Sequence, residues 1–394
     1  MKEENRLRQT IEIINAFDFN LSLKTFLFSW YKKHPNMGST DRRETSTLVY
    51  QYFRLGKNLP NIEIERKIAL AVFLCNEELN YLIEFIIKKN SLFRVEDIKF
   101  SLEDKIRKVI EGFPEFNLNN IFPFPERLSS MIDKKLFIES HFYQPKVWIR
   151  IKTGKVEKVL NELKDNKYLC DIIENDNKTI GFKMHYKLDQ LKSYINGDFE
   201  IQDAGSQRTG ELYKPNKNDT WWDACAGSGG KSLMLADIEP TVSLFITDKR
   251  KSILNNLNER FLKAGIKKFK VAECDLVKPD LLNYSNEYFD GIILDVPCSG
   301  SGTWASIPEK LSSFDYKSIA EHHHTQIQIA QNVLPYLKRG KPLIYITCSV
   351  YRQENEDVVK FLCDNFNMII ESQQIIEGYR FGASTFFVAR LIKQ

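Results

Sequence analysis

Two cysteines in this chain follow apolar runs that read as strands. Cys298 comes after Gly291-Ile292-Ile293-Leu294 in "LDVPCSG", and Cys348 ends the run in "PLIYITCSV", residues 342–350. A cysteine is ordinarily a small buried hydrophobe, and that reading suffices for Cys75, Cys170, Cys274 and Cys363. A thiol at the carboxyl end of a parallel strand is placed differently, because open α/β sheets bind their ligands along that edge. There it can act as a nucleophile. Cys348 also precedes "SVYRQENEDVVKFL", read as a helix whose N-terminus would draw the thiol toward thiolate.

A second constellation lies upstream. "TWWDACAGSGGKSLMLAD" reads as strand, glycine turn and helix, the arrangement that brings backbone close to a nucleotide-like ligand. Gly230-Lys231-Ser232 is the second half of a phosphate-binding P-loop, but Cys225 stands where its first glycine is needed, and no G-x-G-x-x-G frame is present. An acid falls near the end of each of four expected strands: Asp223, Asp248, Asp275 and Asp295. Each alone could cap the following helix. Together they suit a neutral or cationic ligand, with Asp248 placed for ribose hydroxyls and Asp275 near an adenine edge. S-adenosylmethionine, which carries a sulfonium and an ammonium, fits that charge; a triphosphate without metal does not. Cys225 lies in the turn and would line the pocket through its backbone.

The elements that must position these groups are legible in outline. The chain has 394 residues, 43% hydrophobic and 27% charged, with a formal net charge of +4. These values exclude wholesale disorder and a disulfide-stapled miniature, and allow two or three domains. Its apolar stretches fall short of a membrane span, "MKEENRLRQT" has no apolar segment behind it, and the seven cysteines are scattered without a C-x-x-C pair. A soluble cytoplasmic protein with reduced thiols, no membrane partner and a monomeric state is expected. Residues 1–140 show helical periodicity, with an N-cap expected at Ser39-Thr40-Asp41 ahead of Arg42. Residues 141–200 read as a small α+β module: strands at "KVWIRIK" and "TIGFKM" flank a helix at "VEKVLNELKD". Residues 201–394 alternate strand and helix, which predicts a mostly parallel sheet with strands at 220–225, 242–248, 269–274, 289–296, 343–348, 367–371 and 385–391. "EHHHTQ", 321–326, puts three histidines on different helix faces and reads as a solvated or RNA-facing patch, with no metal site. Trp304 is either a base-stacking or a packed aromatic.

A methyl donor beside a thiol implies a definite chemistry. C5 of a pyrimidine is a poor nucleophile, but a thiolate added at C6 converts the ring to an enamine whose C5 can take a methyl group, after which loss of the C5 proton expels the sulfur. An acid or donor near N3 assists, and Asp295 is the candidate. Two other readings stand beside this one, a P-loop NTPase and a non-catalytic RNA-binding or ribosome-assembly factor.

The carboxyl-terminal half resembles RNA cytosine-5 methyltransferases of the RsmB/Nop2/Sun type, nearest the RsmB-like ribosomal RNA enzymes. The resemblance rests on "IQDAGSQ" (201–207), "DACAGSGGKS" (223–232), "TD" (247–248), "ECD" (273–275), "DVPCSGSGT" (295–303), "YITCSV" (345–350) and "FFVARLIK" (386–393). It implies a class I S-adenosylmethionine-dependent methyltransferase fold, Rossmann-like with a seven-stranded sheet, acting on RNA and not DNA, with small-subunit ribosomal RNA the expected substrate. It implies Cys348 as the nucleophile and Cys298 as the cysteine assisting product release, with Asp295 beside them. It further implies that Cys225, Ala226, Gly227, Ser228, Gly229, Gly230 and Lys231, with Asp248, Asp275 and Asp295, bind the cofactor. "DRRETSTLVYQYFRLGK" resembles a NusB-like helical domain, and the module before the sheet resembles a small RNA-recognition fold. The chain departs from the family in Gly227-Ser228 where Ala-Pro is common, in "TWASIPEK" where relatives are often basic, and in Ser384-Thr385 where Asp-Gly is usual.

Overall fold

The computed structural model describes residues 2–173, 176–183, 186–278 and 288–394. The chain falls into two compact units: Met1–Glu126 with Asp133–Gln144 and Trp304–Asp315, and Arg127–Ile132 with Pro145–Thr303 and Tyr316–Gln394.

The first unit is helical. Its longer helices are Lys2–Ala16, Leu23–Lys33, Ser39–Phe53, Ile64–Cys75, Tyr81–Asn90 and Leu102–Gly112. Ser22, Asn80 and Ser101 each accept from a backbone N–H three residues on, satisfying donors the first turn leaves open. The third helix starts earlier than the expected cap. Gly38 is its N-cap, and Asp41 turns its carboxylate to the buried Arg6 at 2.7 Å, a tertiary ion pair that outcompetes local capping. Leu7, Leu48, Val49, Ile68, Leu70 and Ile86 are all buried.

The segment after the Cys298 loop joins this unit, although its sequence lies inside the 201–394 stretch expected to form the catalytic part. Trp304 is 1% exposed. Its ring lies 5.3 Å from that of Phe122 and 4.6 Å from that of Phe314. Buried Glu309 accepts from the Leu23 N–H at 2.9 Å, which starts the second helix. Trp304 is therefore the packed aromatic of the two readings.

The second unit holds two sheets. A four-stranded antiparallel sheet comprises β1 (Val147–Ile151), β2 (Asp171–Ile173), β3 (Asp176–Phe182) and β4 (Phe199–Ile201), in the order β2-β3-β1-β4. The end of the strand expected at "TIGFKM", Met184, lies outside the described residues. Helix Val156–Asp165 packs Val159 and Leu163 on Ile149, Ile180 and Phe199.

The larger sheet comprises β5 (Thr220–Asp223), β6 (Ser243–Asp248), β7 (Phe269–Glu273), β8 (Gly291–Asp295), β9 (Pro342–Thr347), β10 (Met368–Ile376) and β11 (Phe386–Lys393). Their order is β10-β11-β9-β8-β5-β6-β7, parallel except that β11 runs antiparallel to both neighbours. This is the seven-stranded, mostly parallel architecture expected. Neighbouring residues enter opposite cores: Trp222, Leu294 and Tyr345 face one, Trp221, Ile293 and Ile344 the other. A sheet covered on both faces needs apolar residues at both parities, hence continuous runs such as "GIIL" and "PLIYI". The order turns back between β5 and β8, which opens a crevice at their carboxyl ends.

Replacing the buried Trp304 by alanine should remove about 3–5 kcal/mol from the helical unit. Denaturant unfolding, with far-ultraviolet dichroism as probe, checks this.

Candidate active site

A cleft of about 820 Å³ occupies that crevice within the second unit. Cys225, Ala226, Gly227, Ser228, Gly230, Lys231, Asp248, Asp275, Asp295, Cys298 and Cys348 line it. Gly229 lies below the surface of the turn. Its φ of 81° and the approach of Leu257 and Phe261, 2.9 Å from where a Cβ would stand, demand glycine there for folding. Asp223 is buried as well, receiving the Ser232 hydroxyl at 2.5 Å. Burial lifts its carboxyl to about 7, with the charges of Asp295 and Asp248 adding and the Ser232 bond opposing.

Lys231 reaches Asp295 Oδ2 at 2.6 Å and Ser206 Oγ at 3.4 Å. Burial would weaken its hold on the proton, but the charge and hydrogen bond of Asp295 prevail and keep the ammonium above its ordinary value. Asp295 therefore meets the cleft as the acceptor of an ion pair. Lys231 and Ser232, which a P-loop would turn to phosphate and magnesium, are committed to carboxylates.

The glycine turn is held tightly despite Gly227-Ser228. Gly227 N–H donates to Asp248 Oδ2 at 2.9 Å, and Arg260 donates to the Ser228 carbonyl at 2.6 Å and its hydroxyl at 2.9 Å. Asp248 also accepts from the Arg250 side chain at 3.0 and 3.1 Å and its N–H at 2.9 Å. Burial works against ionisation, yet these bonds hold the Asp248 carboxyl below its usual range. Asp275 stands at the cleft's other wall, 3.7 Å from the Lys278 ammonium. Burial first, then the charges of Asp295, Asp223 and Asp248, push the Cys225 thiol far up, so it is an inert lining group.

Cys298 and Cys348 meet with their sulfurs 3.3 Å apart. The Cys298 loop folds back so that Gly302 N–H donates to the Cys348 carbonyl at 2.8 Å, while the Gly302 carbonyl receives Thr385 N–H at 2.9 Å. A Cβ at 302 would stand 2.1 Å from the Thr385 oxygen, so only glycine lets the loop pass. The hydrogen bond to Cys348, then burial, push the Cys298 thiol well above its ordinary value; it keeps its proton and can donate it to the Cys348 sulfur. The helix expected from Ser349 does not begin there. Tyr351 is extended and bridged to Leu128, and the Val350 carbonyl receives Ser129 N–H at 2.9 Å. A 3₁₀ turn follows at Arg352–Glu354, and the helix spans Glu356–Phe366. Cys348 thus stands well ahead of that helix's first turn, and its neighbour is a thiol.

Sequence reasoning missed several lining groups: Gln202, Asp203, Ser206, Arg250, Arg260, His322 and Phe386. "IQDAGSQ" and the basic residues after Asp248 were the available signals. Asp203 accepts from the Ser384 N–H at 3.0 Å, which ties the start of β11 to the cleft in place of the usual Asp-Gly. The three histidines diverge: His322 lines the cleft, and His323 bonds the Gln353 carbonyl at 2.6 Å. Among the described residues no group of three or more His, Cys, Asp or Glu is placed to hold a metal ion, and no helix is long and apolar enough to cross a membrane.

Residues 211–389 match the sequence model of the family described as 16S rRNA methyltransferase RsmB/F. A protein of Coxiella burnetii named probable ribosomal RNA small subunit methyltransferase B is 30% identical over 192 residues, 48% of this chain and 44% of that protein. The tRNA (cytosine(72)-C(5))-methyltransferase of Pyrococcus horikoshii is 31% identical over 193 residues, 48% of each chain. The chain thus spans less than half the length of these two relatives. The crystal structure of NSun6 from Pyrococcus horikoshii with SFG shares the fold, with a TM-score of 0.60 at 20% identity over 68% of this chain and 96% of that one.

The buried Asp223 has a stability consequence. Below about pH 4 it is protonated folded or unfolded and contributes nothing to the pH dependence. As pH rises the unfolded carboxyl ionises first, so stability drains away up to about pH 7, by a few kcal/mol at most. The difference in melting temperature between Asp223→Asn and wild type should therefore grow in the variant's favour from pH 4 to 7 and level off above, which calorimetry across that range measures.

Proposed function

We propose that this chain, whose residues 211–389 match the RsmB/F family of 16S rRNA methyltransferases, is a member of that family and transfers a methyl group from S-adenosylmethionine to C5 of a cytidine in RNA. The observation that carries this reading is the pair of sulfurs 3.3 Å apart at one edge of a cleft lined by Asp248, Asp275 and Asp295. The residues present suit the cofactor. Lys231 is neutralised by Asp295, so the remaining acids favour a cation, and Asp248 offers carboxylate oxygens of the kind that accept a ribose diol. Arg250 covers those oxygens now, but its side chain is 54% exposed and can give way to a diol.

Bound along the glycine turn, S-adenosylmethionine would supply an electrophilic methyl carbon. The chain's own residues prepare the acceptor. Cys298, which keeps its proton, donates a hydrogen bond to Cys348 and so stabilises that sulfur as the thiolate that adds to C6. Electron density then gathers at C5 and along the N3 edge, where Asp295 and the ammonium it holds can meet it. Once C5 is methylated, its proton passes to solvent, the C5–H pair forms C5=C6, and the C6–S bond breaks with its pair going to the Cys348 sulfur. The Cys298 S–H stands beside the departing sulfur and can protonate it, which fits a role in product release.

Small-subunit ribosomal RNA is the preferred substrate class, because the family description and the Coxiella relative name it. The Pyrococcus relative makes transfer RNA the rival. Bisulfite sequencing of total RNA from a strain lacking the gene should show one cytidine of small-subunit ribosomal RNA losing its methyl mark; loss confined to transfer RNA would transfer the assignment. Cys348→Ala should lower methylation at least about a thousandfold with S-adenosylmethionine affinity retained. Cys298→Ala should accumulate a covalent protein–RNA adduct on denaturing gels. A Cys348→Ala protein with wild-type activity would overturn the mechanism.

A further inference from the structure

Each of the two cysteines is followed by a serine, and both serines turn to one buried carboxylate. Glu354 is 0% exposed and ends the 3₁₀ turn Arg352–Glu354. Its Oε1 accepts the Ser299 N–H at 2.8 Å, and its Oε2 accepts the Ser299 hydroxyl at 2.6 Å and the Ser349 hydroxyl. Gln326 Nε2 stands 3.5 Å from Oε1 and donates to the Pro297 carbonyl at 3.0 Å, so it supports the same loop. The next residue completes the cradle: Asn355 donates to the Ser349 carbonyl at 2.9 Å and accepts from Thr347 Oγ1 at 2.5 Å.

Every one of these partners of the Glu354 side chain is neutral. A buried carboxylate is costly unless its oxygens are well bonded, so a group kept here without a cation has a task that a neutral residue would do less well. That task follows from hydrogen-bond capacity. An ionised carboxylate only accepts, and can take two hydroxyls and an N–H at once; a carboxamide would replace one acceptor by a donor facing a serine hydroxyl. The two loops are thus drawn to a single point directly behind their cysteines. The Glu354 charge also adds to Cys348 and burial in holding the Cys298 thiol protonated.

Building on the cysteine chemistry proposed above, we infer that Glu354 is a positioning residue: by gripping Ser299 and Ser349 together it sets the separation of the Cys298 and Cys348 sulfurs at which one thiol can serve the other.

Phenylarsine oxide tests this without RNA or cofactor. It condenses with two close thiols, forming two As–S bonds and releasing water, and so reads the sulfur separation directly. The 394-residue chain should bind one equivalent by mass spectrometry, with Cys298→Ala defining the background. Glu354→Gln should bind it at least about tenfold more weakly, the scale of a lost charge-assisted hydrogen bond, while its melting curve and S-adenosylmethionine affinity stay near wild type. A folded Glu354→Gln protein that takes up the arsenical as wild type does would overturn the proposal. Should that variant fail to fold, the Ser299→Ala/Ser349→Ala double variant carries the same two readings. Because the arsenical needs no methyl transfer, a wild-type chain that shows this pattern yet methylates no RNA would sink the proposed function and leave the positioning role standing.

Discussion

Strands β8 and β9 lie side by side and run the same way, Ile292 opposite Leu343 and Asp295 opposite Ile346. Parallel neighbours end at one edge, so the residues that leave them emerge within a few ångströms of each other. Cys348 leaves β9 at once, and Cys298 leaves β8 through a loop that Gly302 allows to fold back against the Cys348 carbonyl. Fifty positions of sequence separate the two sulfurs, and strand adjacency alone makes them neighbours. The cleft, the acids around it and the serine–glutamate cradle beneath are all referred to that pairing.

Negative charge in the cleft is managed locally. Asp295 is answered by Lys231, Asp248 by Arg250 and the turn's own N–H, and Asp223, sealed from water, is drawn toward its neutral form by burial. Left unpaired, these carboxylates would repel one another across a poorly solvated space. Paired as they are, they hold the glycine turn in shape and still present acceptor oxygens. A cationic, ribose-bearing ligand can then enter without first having to offset the whole repulsion.

The loop that bears Cys298 also shows how a sheet edge and a helical unit share one chain. At Thr303 the chain leaves the second unit, and from Trp304 to Asp315 it contributes an aromatic and a buried glutamate to the first. The departure from the family pattern at "TWASIPEK" is thus a matter of packing: Trp304 is wholly buried and Glu309 nearly so.

The sequence by itself determined the strands of the larger sheet and their order along the chain, though not β2 and β4 of the smaller one. Alternating strand and helix announced a mostly parallel sheet, the glycine turn announced a close backbone approach, and acids and cysteines at strand ends marked the edge that matters. Those signals are local, set by side-chain period and backbone sterics, and survive in one dimension. What only the tertiary structure decided is who faces whom. Asp41 left its expected cap for Arg6, Ser228 was clamped by Arg260, Asp223 and Gly229 sank beneath the cleft, and the helix after Cys348 began seven residues late because Val350 and Tyr351 paired with Ser129 and Leu128. Each outcome turns on a partner 32 to 223 positions away, or on burial that many such partners create, and no local pattern encodes which of several competing donors, acceptors and charges will be brought within 3 Å.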